Sequence, residues 1–273
     1  MTPALTGRLV ERYRRQTLAR YRVRTKRQTL RFVEALGFCY AFTSGPGDLP
    51  GLFDVLTTRS VDRMWSWAWR WKDELVTERR VFYGRVLRRK PTYISVHYLP
   101  HFFALSGNVG ERDDYLQAYR EGRLSLLAKS LFEYVQAQGP CSTWELRRAF
   151  VSRGDRGGAF HKALSVLQET FLLAKVGELE RGSYSYVWDT FVRWMPQVVR
   201  AAGGISAQQA AAAVLDRYLQ TVGAAPPRAV RGLFEWPTST LEGARQSLGN
   251  RVASCDMDNT PVWAHVNLNR WRA

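Results

Sequence analysis

The chain of 273 residues carries a formal net charge of +16, with an isoelectric point near 10.3 and 45% hydrophobic residues. Its hydrophobic fraction is that of a folded protein and it has no run of 18 apolar residues, which excludes wholesale disorder and a membrane span. The positive charge favours a polyanionic partner. Three widely spaced cysteines, Cys39, Cys141 and Cys255, predict neither a disulfide framework nor a metal site, and they suit a reducing cytoplasm.

The positive charge is concentrated in the N-terminal third, where residues 1–100 contain 20 Lys and Arg against 8 Asp and Glu. Ten basic residues and one acid, Glu11, lie within residues 8–31, and no helix breaker interrupts them. This pattern favours a basic helix along phosphates, with a solvated helix face or a flexible basic arm as the alternative. Residues 28–36 continue as the core face of a helix that ends at Gly37.

Residues 38–43 are a short apolar run that predicts a buried strand, and residues 44–48 predict a turn. Residues 49–56 are expected to begin a helix, and residues 60–76 have a helical or broken-helical pattern. Four tryptophans alternate with other residues in the last segment: Trp65, Trp67, Trp69 and Trp71. In a strand they would share one face, and in a helix they would scatter around it. Base stacking is the functional interpretation, and core packing is the commoner fate.

A second basic patch follows. It consists of Arg85, Arg88, Arg89 and Lys90, and phosphate contact is its natural use. Residues 93–96 predict a strand and residues 100–105 a short helix. Residues 107–114 are polar and contain glycine, so they predict a linker.

The central segment has the order of a winged helix, which is three helices followed by a β-hairpin. Apolar spacing predicts a helix over residues 124–138, stopped by Gly139 and Pro140. A capping box at residues 142–145 opens a second helix that ends at Phe150. A third helix is predicted near residues 159–171, and residues 174–179 and 184–189 predict the hairpin.

The same order recurs in the C-terminal part of the chain. Capping boxes are predicted at residues 206–209 and 239–242, a helix begins at Pro226–Pro227, and a hairpin flanks residues 256–259. The fold class is therefore mainly α with small β-hairpins, an α+β class built of tandem winged-helix units. The predicted domains are a basic N-terminal winged-helix-like domain (1–106), a central winged helix (116–196) and a C-terminal winged helix (204–268).

Charge and fold together predict double-stranded DNA as the partner of a cytoplasmic, nucleoid-associated monomer that does not engage a membrane. The contacts predicted for the central recognition helix, its approach and its wing are Arg147, Arg148, Arg153, Arg156, His161, Lys162 and Arg181. RNA binding and a protein-interaction role for the winged helices are the alternatives. A winged-helix transcription regulator is another, and it would prefer one short sequence.

Two segments resemble the interstrand-crosslink DNA glycosylases of the AlkZ/YcaQ type, which are built from tandem winged helices. Residues 78–105 are similar to that family's segment of paired basic residues, aromatic helix, basic turn, short strand and Leu-Pro…Ala-Leu ending. Residues 216–223 with residues 233–236 resemble its Arg-Tyr-Leu…Gly…Trp pattern. The likeness covers most of residues 25–265 and implies a DNA-binding protein related to enzymes that excise alkylated bases.

In that family, the resemblance implies, a Gln-x-Gln or Gln-x-Asp pair after Leu-Gly holds the attacking water and stabilises the oxocarbenium-like sugar. Here Leu36 and Gly37 are followed by Tyr40 and Phe42 at the matching positions. A tyrosine hydroxyl can orient water, which makes Tyr40 the candidate catalytic residue, but a phenylalanine offers no polar group. The usual pair is therefore absent.

Other chemistry is scarce. Asp48 and Asp54 are candidate replacement carboxylates, against the commoner roles of turn and helix-surface residues. His97 and His101 stand four residues apart, but Pro100 lies between them and no HExxH glutamate accompanies them, so no metal and no cofactor are predicted. A binder without activity, an active glycosylase with a divergent site and a transcription regulator all remain open.

Overall fold

The computed structural model describes residues 5–180 and 183–271. Helices alternate with small antiparallel sheets, so the α+β class predicted from the sequence is confirmed. Within the described residues, no helix combines the length and the apolar character that crossing a membrane requires.

The N-terminal part contains four helices and one sheet. Its elements are α1 (Gly7–Ala19), α2 (Lys26–Leu36), β1 (Phe38–Tyr40), α3 (Val61–Thr77), β2 (Val81–Leu87), β3 (Lys90–Ser95) and α4 (Leu99–Leu105). The prediction of one unbroken basic helix over residues 8–31 is wrong. The helix stops before Arg20, and Thr25 begins a new one by accepting a hydrogen bond from the Gln28 amide at 3.2 Å.

The sheet of the N-terminal part has the order β1-β3-β2. Residues 81–87 form its edge strand, so the aromatic helix implied there by the resemblance is wrong. Strands β2 and β3 are joined by a two-residue turn, Arg88–Arg89, and both residues are left-handed with φ of 52° and 54°. Such a pair of residues matches the right-handed twist of a hairpin. The helix predicted over residues 49–56 is reduced to one 3-10 turn, Leu52–Asp54.

The central part follows the prediction closely. Its elements are α5 (Asp114–Arg120), α6 (Leu126–Gln138), β4 (Cys141–Ser142), α7 (Thr143–Phe150), α8 (Gly158–Glu169), β5 (Leu173–Glu180) and β6 (Tyr184–Thr190). Gly139 ends α6 with φ of 89°, and Ser142 and Glu145 form the predicted capping box. The sheet order is β4-β6-β5.

Two short helices lead from the central sheet to the C-terminal part. They are α9 (Phe191–Trp194) and α10 (Pro196–Ala202), followed by α11 (Ala207–Val222), β7 (Ala224–Ala225), α12 (Pro227–Phe234), α13 (Thr238–Ser247), β8 (Val252–Met257) and β9 (Thr260–His265). The capping box at Ser206 is confirmed. The box predicted at Ser239 is wrong, because the extended residue before α13 is Pro237 and Ser239 already lies in the first turn.

Each of the three sheets is built in the same way. A short strand that follows a helix pairs with the last strand of a hairpin, in the orders β1-β3-β2, β4-β6-β5 and β7-β9-β8. The element order predicted for a winged helix is thus present in all three parts, with 3-10 turns in place of the middle helix in the first. The domain boundaries at 106, 116, 196 and 204 remain predictions.

The hydrophobic core does not follow the division of the chain into N-terminal, central and C-terminal parts. The central part has its own cluster, whereas one continuous cluster joins the N-terminal and C-terminal parts, with Phe38, Phe102 and Phe234 in edge-to-face contact. Helix α1 packs on the C-terminal part, where the Tyr13 hydroxyl donates to the Gln220 carbonyl at 2.6 Å. The two ends of the chain therefore support each other.

Gly51 is required by the loop between β1 and α3. A Cβ there would lie 2.1 Å from the Phe42 carbonyl oxygen, and backbone cannot give way as a flexible side chain can. We expect Gly51→Ala to lower the free energy of unfolding in urea by about 1–3 kcal/mol. Gly232→Ala is the control, because Gly232 lies inside α12 with nothing near its Cβ, and it should stabilise the protein by about 1 kcal/mol. Equal stability of the two variants would contradict the close approach.

Candidate functional site

The two positions singled out by the Leu-Gly motif have different surroundings. Tyr40 is buried, its hydroxyl donates to the Pro46 carbonyl at 3.3 Å, and the Lys90 ammonium lies 5.0 Å from its ring centroid. Burial raises the pKa of Tyr40. Its hydroxyl is thus engaged in holding the loop rather than directed into a cleft.

Phe42 belongs to an aromatic cluster on the surface of α3. Its ring centroid lies 5.3 Å from that of Trp65, 6.2 Å from that of Trp69 and 5.8 Å from that of Phe53. The period-two tryptophans scatter around α3, as a helix requires. The expectation of core packing holds for Trp71, which is 3% exposed, whereas Trp65 and Trp69 are 46% and 42% exposed. The second motif position therefore adjoins two exposed indoles.

Those two indoles form one wall of an open cleft of about 520 Å³, which we call the tryptophan pocket. Its lining residues are Trp65, Ser66, Trp69, Arg70, Asp73, Glu74, Glu178 and Glu180. Four carboxylates and one guanidinium line the pocket, and three of the carboxylates, Asp73, Glu74 and Glu178, are paired with cations. An aromatic face beside carboxylates is a suitable environment for a flat, positively charged ring.

A buried ionic cluster lies behind the tryptophan pocket. Lys72 on α3 and Lys175 on β5 both have fully buried side chains, and both ammonium groups contact Asp73 Oδ1, at 2.7 and 2.5 Å. The Tyr184 hydroxyl donates to Asp73 Oδ1 and Oδ2 at 2.8 and 2.9 Å, and Glu178 pairs with Lys175 at 3.1 Å. We call these five residues the lysine cluster; it joins the N-terminal part to the central hairpin.

Electrostatics within the lysine cluster are strongly perturbed. Burial, and then the neighbouring charge of Lys175, lowers the pKa of Lys72 to about 8. Burial, and then the hydrogen bond to Asp73, raises the pKa of Tyr184. The Lys72 ammonium also lies 4.0 Å from the ring centroid of Trp69, so the cluster is in direct contact with the wall of the tryptophan pocket.

The predicted DNA contacts of the central part lie in three places. Arg147 and Arg148 are on α7, Arg153 and Arg156 are in the loop before α8, and His161 and Lys162 are in the first turns of α8. Arg147 Nη1 and His161 Nε2 are 3.1 Å apart. Arg181 lies outside the described residues. Within the described part of the chain, Arg148, Arg153, Arg156 and Lys162 have no carboxylate partner, so their charges face solvent.

One residue of the second basic patch joins them. Arg85 on β2 and His161 on α8 line a common cleft of about 320 Å³ with Tyr83, Ser165 and Tyr186. The turn residues of the patch are engaged elsewhere: Arg88 pairs with Glu235 at 2.7 Å and Arg89 with Glu169 at 3.7 Å. The patch is therefore divided, with Arg85 facing the central part and two arginines partly neutralised.

The basic N-terminal segment contributes a further groove of about 930 Å³ beside α3. Five arginines line it: Arg15, Arg22, Arg24, Arg59 and Arg63. Ion pairs with carboxylates are absent for all five among residues 5–180 and 183–271. The break between α1 and α2 creates this groove, since it turns residues 20–25 toward the loop at 54–59.

The candidate replacement carboxylates have structural roles. Asp48 pairs with Arg14 at 2.8 Å, and Asp54 Oδ2 accepts a hydrogen bond from the Gly51 amide at 2.9 Å. The rings of His97 and His101 both contact the ring of Tyr98, at 5.3 and 5.7 Å between centroids. Among the described residues, no group of three or more His, Cys, Asp and Glu is arranged to hold a metal ion.

Comparison with known proteins supplies the family. The model of the AlkZ-related family matches residues 23–235, which is most of the chain. The chain belongs to the AlkZ-related family. No curated protein matches it. The structure is similar to that of Streptomyces sahachiroi DNA glycosylase AlkZ, with a TM-score of 0.59 and 14% identity over 99% of this chain and 72% of that one. At that identity the likeness shows a shared fold.

The family match includes the central features of the candidate site. Residues 23–235 contain the motif positions, the tryptophan pocket and the lysine cluster. This member of the AlkZ-related family thus combines the AlkZ fold with a buried Tyr40 and an aromatic Phe42 at the positions that the resemblance aligns with the family's motif. The lysine cluster was not predicted from the sequence, because Lys72 and Lys175 lie far apart in the chain, one in a helical segment and one in a strand segment.

Proposed function

We propose that the protein binds double-stranded DNA and receives an alkylated base in the tryptophan pocket. The observation that carries this proposal is the position of Phe42: the residue that the resemblance aligns with the second position of the family's motif packs on Trp65 and Trp69, which form the wall of a cleft lined by carboxylates. A purine alkylated on a ring nitrogen is a flat cation. Stacking on indole and attraction to carboxylates both favour such a ring over a neutral base.

Duplex DNA reaches this pocket along the basic surface. Arg85, the loop before α8 and the arginine groove beside α3 present cations without carboxylate partners in the described residues. Such cations bind phosphates and release counterions, a sequence-independent contribution to affinity. Extruding the damaged base from the duplex then places it in a cleft that duplex DNA cannot enter. A nucleoid-associated, cytoplasmic monomer is the corresponding cellular form.

The charge variants that test DNA binding are Arg153→Gln and Arg156→Gln made together. Each phosphate contact contributes about 0.9 to the slope of log K against log salt, so the slope should become shallower by ~2, and affinity should fall equally for unrelated sequences. Fluorescence anisotropy with an unmodified duplex over a range of salt measures both quantities.

The matched control removes two charges from the same part of the chain. Arg123→Gln with Lys129→Gln breaks exposed ion pairs with Glu121 and Glu133 and changes the net charge by the same amount. Its salt slope should equal that of the wild type. A slope that falls equally in both double variants would mean that net charge, and not this surface, determines binding. Arg88→Gln with Arg89→Gln should have the smaller effect, since both arginines already face carboxylates.

The family's Gln-x-Gln or Gln-x-Asp pair is absent in this proposal, because Tyr40 and Phe42 occupy its positions. The protein is then a DNA-binding relative of the glycosylases whose chemistry, if present, uses other side chains. An active glycosylase with a divergent site is the second candidate. It is favoured by one observation, the Asp73 carboxylate in the lining of the tryptophan pocket.

A further inference from the structure

The lysine cluster carries a large free-energy cost, because its charged groups are removed from water. Lysine is almost never fully buried, and an ion pair inside a protein gains little over well-packed apolar side chains of the same volume. Here two lysines, Lys72 and Lys175, are fully buried around a single aspartate, and each comes from a different part of the chain. Stability alone gives no reason for this choice, whereas fixing one carboxylate in a defined position does.

The two oxygens of Asp73 are used differently. Oδ1 accepts hydrogen bonds from Lys175 and Tyr184 and forms an ion pair with the Lys72 ammonium, which saturates it. Oδ2 accepts from Tyr184 alone among the described residues, at 2.9 Å. Because Asp73 lines the tryptophan pocket and its side chain is 10% exposed, a further hydrogen bond to Oδ2 is available from the pocket side.

The position suits a reacting sugar. A base that stacks on Trp65 or Trp69 carries its deoxyribose at the rim of a pocket whose lining includes Asp73 and Glu178. Three donors hold the carboxylate against rotation, so its free oxygen is oriented before a substrate arrives. Such fixed orientation of a reacting group supplies much of the rate gain in enzymes.

We propose that Asp73 is the catalytic carboxylate that takes over from the missing motif pair, hydrolysing the N-glycosidic bond of a cationic base held in the tryptophan pocket. This rests on the proposed function of the same pocket. Water donates a hydrogen bond to Asp73 Oδ2 and attacks C1′ of the deoxyribose. The bond from C1′ to the base nitrogen breaks, and its electron pair neutralises the positive ring, so the base leaves without protonation. One water proton passes to Asp73 and then to solvent, leaving an abasic sugar and a free neutral base.

Lys72, Lys175 and Tyr184 are positioning residues in this scheme. They hold the carboxylate through Oδ1 and, for Tyr184, also through Oδ2. Neither lysine touches the substrate, since both side chains are fully buried. Phe42 packs on Trp65 and Trp69 and offers no polar group, so the reacting carboxylate comes from the pocket lining, where Asp73 is held by Lys72, Lys175 and Tyr184.

The test compares base release and DNA binding in the full chain. The probes are duplexes containing N7-methylguanine or N3-methyladenine, under single-turnover conditions with release of free base measured by chromatography. Asp73→Asn keeps an oxygen for the lysines but cannot take a proton. It should reduce the rate of base release about 100-fold or more, the usual contribution of a general base, while leaving the dissociation constant for unmodified duplex unchanged.

Asp189→Asn is the matched control. Asp189 is as buried as Asp73 and lies on β6, in the central hairpin that carries Lys175 and Tyr184. It pairs with Arg193 at 2.9 Å, outside the tryptophan pocket. This variant should release base at the wild-type rate. In Asp73→Ala, sodium formate should restore part of the lost rate of base release by supplying a carboxylate in the vacated space, while the dissociation constant for unmodified duplex should be the same with and without formate.

The outcomes separate this inference from the proposed function. If Asp73→Asn releases base at the rate of the wild type, the inference is overturned. It is also overturned if the wild-type protein binds both duplexes but releases neither base, and in that case the proposed DNA binding still stands. A protein that does not bind duplex DNA overturns the proposed function itself. If Asp73→Asn fails to fold, Tyr184→Phe decides, because loss of its hydroxyl should slow release about 10-fold without changing binding, and an unchanged rate overturns the inference.

Discussion

Replacing both Trp65 and Trp69 by alanine should lower the preference of the protein for an alkylated over an unmodified duplex by roughly 100-fold. Stacking of one base on one aromatic side chain contributes ~1–3 kcal/mol, and 2.8 kcal/mol is about 100-fold in affinity. Trp65 is 46% exposed and, among the described residues, no cation lies over its ring, so the exposed part of the indole is available to attract a positive ring. Binding of unmodified duplex should stay unchanged, because phosphate contacts on the basic surface provide it.

The measurement is a competition between two duplexes at one salt concentration. The modified duplex carries N7-methylguanine on a 2′-fluoro sugar, whose glycosidic bond resists hydrolysis, so that binding is observed without release. Trp236→Ala is the control: this indole is half-buried and stacks on Phe234 at 4.3 Å, outside the tryptophan pocket. A preference that survives the loss of both Trp65 and Trp69 would place the alkylated base elsewhere.

Local signals account for the parts of the fold that the sequence predicted well. A glycine with positive φ ends α6 at Gly139, and the side chains of Ser142 and Ser206 cap the following helices as their spacing indicates. These features depend on a few neighbouring residues. At Ser239 the same motif misled, because Pro237 was a better residue to precede the helix than the serine was to cap it.

Features that depend on distant residues could not be predicted. Lys175 lies 102 residues from Asp73 in the sequence, and nothing near either residue indicates that they meet inside the protein. The exposed positions of Trp65 and Trp69 are equally a product of packing, since the opposite side of α3, with Trp71, was already filled by the core. The sequence therefore supplied Tyr40 as the candidate catalytic residue, Phe42 as the other motif position, the basic residues, and base stacking as one interpretation of the tryptophans. The carboxylate and the exposure of two indoles came from the structure.

The predicted DNA contacts show the same distinction. The sequence placed Arg85, Arg88, Arg89 and Lys90 in one patch because they are close along the chain. In the folded protein the hairpin turn directs Arg88 and Arg89 to Glu235 and Glu169, while Arg85 meets His161 across a cleft. Charge counts predicted a basic surface, but the division of that surface depends on which carboxylates fold against it.

The free energy of unfolding should rise by about 1.5 kcal/mol more between pH 8.0 and pH 9.5 in the wild type than in Lys72→Met. Burial, and then Lys175, lowers the pKa of Lys72 from 10.5 to about 8. Between these two values the unfolded chain keeps the Lys72 proton and the folded chain loses it. The contribution of Lys72 to the free energy of unfolding therefore increases with pH, by at most about 1.36 kcal/mol for each pH unit. Urea unfolding at the two pH values measures the change.

Lys72→Met should remove this pH dependence, because methionine fills a similar volume and carries no proton. Cys39, Cys141 and buried tyrosines such as Tyr184 have raised pKa values, so their counterparts in the unfolded chain ionise over the same range and lower the stability of both proteins. The difference between the two proteins therefore reports on Lys72. Lys26→Met is the control: hydrogen bonds to Glu78 and Glu74 raise the pKa of Lys26, so its contribution changes only above pH 10.5 and the rise should persist. If the free energy of unfolding changes equally with pH in the wild type and in Lys72→Met, Lys72 keeps an ordinary pKa. Asp73 would then be held by two permanent cations rather than by one cation and one lysine that titrates near neutral pH.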